Sequence, residues 1–183
     1  MLFRSLTIGF AITIIAFIRV GEKLLQRFGA HKPMLWGCAL TGASVICLAM
    51  TPLTLADYRI AATIGFALQG IGLAFYATPS TDAALSALPE AQAGSGAGIY
   101  KMASSLGGAF GVAISATIFT AVRIHPDGGS LLDGLIQFQG AQDQVAVRTA
   151  AIVALLFNLF MIVVAAISIM VTIPRASDRQ PAS

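Results

Sequence analysis

Charge is what this 183-residue sequence has least of. Asp, Glu, Lys and Arg make up 10% of it, against roughly 25% in an average soluble domain. Hydrophobic residues reach 57%, more than a soluble fold of this length can cover with a polar exterior. Lipid is therefore the solvent for most of the chain. The net charge is only +3, and no basic run interleaved with aromatics occurs, which excludes a nucleic-acid partner. The two cysteines, Cys38 and Cys47, fall in one apolar run. At about 100° per residue their spacing puts them on opposite faces of a helix. With neither a CxxC nor a metal spacing, they read as small buried hydrophobes. There are two histidines, His31 and His125, both in connections and on opposite sides of the predicted bundle. HExxH, GxSxG and P-loop patterns are missing, and the GSGAG at 94–98 follows no strand and lacks the lysine spacing of a phosphate loop. No enzyme, cofactor or metal is expected. The N-terminal apolar run lacks an A-x-A cleavage site and ends in Arg19, Glu22, Lys23 and Arg27, the pattern of a retained anchor rather than a cleaved signal.

What is present is a series of long apolar runs. A spanning helix needs about 20 mostly apolar residues, and an open strand edge cannot be satisfied in lipid. The expected fold is all-α and polytopic, with five spans at 2–21, 34–53, 60–78, 95–122 and 149–173. Basic residues set the orientation. Arg19, Lys23, Arg27, Lys32, Lys101, Arg175 and Arg179 share one side if the helices alternate, and Arg4, Arg59, Arg123 and Arg148 take the other. The richer side is expected to be cytoplasmic, so the N-terminus lies outside and the C-terminus inside. Trp36, Tyr58, Tyr76 and Tyr100 sit near span ends, where amphipathic rings settle. Residues 79–94 are expected to form a short surface helix begun by Pro79 and stopped near Pro89. Residues 125–144 are expected to form the one long outer loop, with the run Leu131 to Phe138 on the membrane surface. The tail 174–183 is expected to be disordered and cytoplasmic.

Few residues inside the spans can carry chemistry. Ala103, Gly107, Gly111 and Ser115 recur every four residues in the fourth span. Such a small-residue stripe lets two helix backbones approach closely in lipid, as static packing or as a sliding contact. Lys101 lies about two turns into the same span, roughly 10 Å deep. It either snorkels to the headgroups or pairs with Asp82, Glu90 or substrate, since charges within a membrane are costly and functional. Gln69 and Asn158, mid-span in the third and fifth helices, either bond between helices or line a cavity. No Asp or Glu falls mid-span, so a proton carrier at the bilayer centre is missing from this chain.

Three stretches carry a resemblance: IRVGEKLLQRFGAHKPMLWG (18–37), GLAFYATPSTDAALSALPEAQAGSGAGIYKMASSLGGAFGVAIS (72–115) and the apolar last span. The chain resembles the C-terminal part of the fourteen-helix drug:proton antiporters of the major facilitator superfamily, NorB-type quinolone and multidrug efflux proteins in particular. The resemblance implies that the five spans are helices ten to fourteen, a partial C-terminal transporter domain over 1–173. It further implies efflux of amphipathic or cationic drugs from a bacterial inner membrane, energised by the proton gradient and requiring no cofactor. Residues 22–32 match the family's second cytoplasmic loop motif, with Arg27, Gly29 and Lys32 in place and Gln26 where an acid often stands. Together with Asp82 and Lys101 these are the expected inner-face charge-control residues. The N-terminal half, which holds the main proton-coupling acids, is then the missing partner, and Met1 is either internal to a longer gene or the start of a truncated one. The alternative is a truncated membrane protein that transports nothing, or acts only by helix association with a partner.

Overall fold

The computed structural model describes residues 2–51, 55–86, 88–124 and 144–173. Five α-helices follow in order: α1 (Leu2–Phe28), α2 (His31–Ala49), α3 (Leu55–Leu85), α4 (Ala93–Ile124) and α5 (Val145–Thr172), with a 3-10 turn at Glu90–Gln92 before α4. There is no strand among the described residues, and the all-α expectation holds. Four helices among the described residues are long and apolar enough to cross a membrane: His31–Ala49, Asp57–Leu85, Glu90–Ile124 and Val145–Thr172.

Local chemistry sets the helix ends. Gly29 has φ 71°, and its N–H bonds the Leu25 carbonyl at 2.9 Å. A left-handed glycine just past a helix closes the last turn at no steric cost. Pro33 lies in the first turn of α2, where its missing N–H would have had no partner, and its side chain is fully buried. Pro79 departs from expectation. It does not start a surface helix; α3 runs through it to Leu85. A proline inside a membrane helix is tolerated where neighbours hold the opened turn. Pro79 is fully buried, Thr81 Oγ1 donates to the Ala77 carbonyl at 3.0 Å, and Ser80 hydrogen bonds Tyr100 of α4. The expected surface run in 125–144 and the tail 174–183 lie outside the described residues, save Gln144, which precedes α5.

The helices pack as a chain of neighbours. α3 lies against both α1 and α2, α2 against α5, and α5 against α4, while α4 meets α3 only lightly. The α2–α3 seam is the tightest. A Cβ on Gly37 would come 2.8 Å from the Gly72 carbonyl oxygen, and one on Gly65 would press on Leu48 and Ser44. Ser44 is wholly buried and donates its hydroxyl to the Gly65 carbonyl at 2.7 Å. α1 closes on α3 in the same way, since a Cβ on Gly21 would strike the Ala74 carbonyl. A small apolar core of Ala30, Met34, Cys38 and Ile169, flanked by Leu25, Tyr76 and Ile162, ties α2 to α5. α4 has no buried residue at all.

Candidate functional site

The α1–α2 turn is built around an aromatic ring. The Arg27 guanidinium and the Lys32 ammonium each lie 5.5 Å from the centroid of Phe28, and Trp36 meets the same ring edge-on at 5.7 Å. Two cations attracted to one ring hold a compact basic end on a turn that Gly29 makes possible. Both cations stay exposed, while His31 beside them is buried, its Nε2 without a hydrogen-bond partner. Phe28 is the residue that the sequence reading missed. Its only signal is its place between Arg27 and the turn glycine.

Asp82 and Lys101 are both exposed, and no salt bridge joins Lys101 to Asp82 or Glu90. Asp82 instead borders an open groove of about 510 Å³ with Leu25, Ala77 and Thr81, between α1 and α3. The link between α3 and α4 at this end is the neutral Ser80–Tyr100 hydrogen bond. The structure thus separates the two charges and ties their helices through hydroxyls.

Gln69 and Asn158 go different ways. Gln69 lines a partly open cavity of about 180 Å³ with Gly37, Cys38 and Thr41 of α2, Leu73 and Tyr76 of α3, and Ile162 and Ala165 of α5. Its Oε1 is buried with no hydrogen-bond partner. Asn158 is a bridge: its Nδ2 donates to Ser115 Oγ of α4 at 3.0 Å and to the Ala154 carbonyl at 2.8 Å. The small stripe of α4 is divided accordingly. Ser115 meets α5, whereas Ala103 and Gly107 are exposed, and a Cβ on Gly107 or Gly111 would meet nothing within 4 Å. No group of three metal-ligating side chains occurs among the described residues.

A bundle of long apolar helices, with charge gathered at helix ends and glycines at the crossings, defines an integral membrane protein of the polytopic helical class. Its family is specific: the model of the Major Facilitator Superfamily matches residues 2–182, and the chain belongs to that superfamily. It is 39% identical over 178 residues to the quinolone resistance protein NorB of Staphylococcus aureus strain MRSA252, an alignment covering 96% of this chain and 34% of the relative. The NorB proteins of strains RF122 and COL are 38% and 37% identical, with the same shares covered. The chain therefore spans about a third of the length of these curated relatives.

Proposed function

We propose that this chain is the C-terminal portion of a multidrug efflux transporter of a bacterial cytoplasmic membrane, exporting amphipathic or cationic compounds against proton entry. The observation that carries the reading is the similarity of nearly the whole chain to proteins of quinolone resistance. In this reading α1 joins the four apolar helices as a fifth span, residues 1–173 form one partial domain, and the basic α1–α2 turn faces the cytoplasm. The N-terminus is then outside and the tail inside.

Transport by rocking requires two halves around a shared site, so the remaining two thirds of the transporter supply the opposite wall and the proton-carrying acids. The chain's own residues have narrower tasks. Arg27, Gly29 and Lys32 shape the basic cytoplasmic turn. Asp82 and Lys101, unpaired with each other, are free to change partners as the inner face opens and closes. Ala103, Gly107 and Gly111 offer a flat, knob-free face that another helix can slide along.

The test is ethidium loss from cells stripped of their own pumps, with and without a protonophore. The chain is expressed alone and then together with the N-terminal portion of a NorB relative. Efflux that needs both parts and stops with the protonophore is the expected result. Insertion of both parts without energy-dependent efflux would contradict the proposal. Efflux by the chain alone would overturn the requirement for two unlike halves.

A further inference from the structure

The cavity between α2, α3 and α5 has no residue of α4 and no charged residue in its lining. A cation entering it would lose its hydration without gaining a counterion, which is strongly unfavourable. Yet the cavity is not inert. The buried Oε1 of Gln69 lacks a donor, and a buried acceptor left unsatisfied is costly. Leu73, Ile162 and the Tyr76 ring supply apolar walls around it. At about 180 Å³ the space exceeds the roughly 150 Å³ apolar cavity known to admit benzene. A single water is the poorer occupant. At about 30 Å³ it could bond Gln69 and the Thr41 oxygen, whose hydroxyl donates to the Gly37 carbonyl at 2.8 Å, but it would leave most of the space between Leu73 and Ile162 unfilled.

We propose that this cavity binds a small, neutral, lipid-soluble molecule of single-ring size carrying one O–H or N–H donor, which Gln69 accepts. It is a site inside one helical bundle, separate from any path for charged drugs. Its occupant bridges α2, α3 and α5, so that binding stiffens the bundle.

The experiment uses the whole chain in lipid nanodiscs with a diazirine-bearing phenol as photoreactive probe, and mass spectrometry locates the label. The expected label falls on the cavity segments of α2, α3 and α5. Unlabelled 4-propylphenol displaces it, and 4-propylanisole, which lacks the donor, competes about five- to tenfold less well, the worth of one neutral hydrogen bond. Gln69→Leu erases that difference, and Ala165→Phe, which fills the cavity, removes the label. Label spread evenly over lipid-facing residues, equal competition by phenol and ether, or no saturable label would each overturn the proposal, the last leaving water as the occupant. The competition ratio in the unmodified chain stands as a test even if both variants fail to fold.

Discussion

At the scale of single residues, Gly29 and Ser44 show how little side chain this protein needs to fix its geometry. Gly29 holds a left-handed conformation, φ 71°, at the α1–α2 turn. A Cβ there costs roughly 1–2 kcal/mol. Gly29→Ala is therefore expected to lower the midpoint of unfolding in mixed micelles, with Gly29→Asn milder because asparagine visits this region more readily. Equal stability of all three would show that the turn relaxes to another conformation. Ser44 donates across the α2–α3 seam to a carbonyl. Ser44→Ala should cost about 1 kcal/mol, and Ser44→Val more, since the site has no room to spare. The glycine of the turn was legible in the sequence only through the resemblance of residues 22–32 to the family's loop motif. Phe28 was not. Its importance lies in Arg27 and Lys32 converging on its ring, and convergence depends on the angle that the turn takes.

At the scale of elements, the helices themselves were plain in the sequence, because runs this apolar have no other stable form in lipid. Their ends shifted by as many as seven residues, with α1 running to Phe28 rather than 21 and α3 to Leu85 rather than 78, and Pro79 was misread as a start. A proline is a boundary signal in water, but a buried one between packed neighbours leaves the helix intact. The partnering of helices was less legible. The small-residue stripe of α4 is the most regular in the chain, but the close backbone contacts lie between Gly37 and Gly72 and between Gly21 and Ala74. The α2–α3 seam does carry a seven-residue spacing, with Gly37 and Ser44 on one helix and Gly65 and Gly72 on the other. Periodicity alone does not say which small faces meet. The α4–α5 contact carries a polar bridge from Asn158 to Ser115. A double-mutant cycle of Asn158→Leu and Ser115→Ala should return a coupling of about 0.6–1.7 kcal/mol, the range for hydrogen bonds between membrane helices. Strict additivity would mean that the two side chains do not interact in the bilayer.

At the scale of the molecule, the same residue type has two opposite uses. Gly72 is pressed against the backbone of α2, whereas Gly107 looks into open space. The chain spans about a third of its relatives, and the proposed function gives an exposed face of this kind a further helix to meet. Gly72→Val should thus destabilise the isolated chain by roughly 1–3 kcal/mol through overpacking. Gly107→Leu should leave the isolated chain as stable as before, or slightly more so, because leucine is the better helix former by several tenths of a kcal/mol. The ranking reverses for transport. In cells that also express the remaining portion, Gly107→Leu should abolish ethidium efflux while insertion, judged by protease accessibility, is unchanged. The bulky side chain would then block the approach of a covering helix. Full efflux by the Gly107→Leu variant would mean that the α4 face points to lipid throughout the transport cycle, and that the sliding seam must be sought on the exposed side of α1 instead.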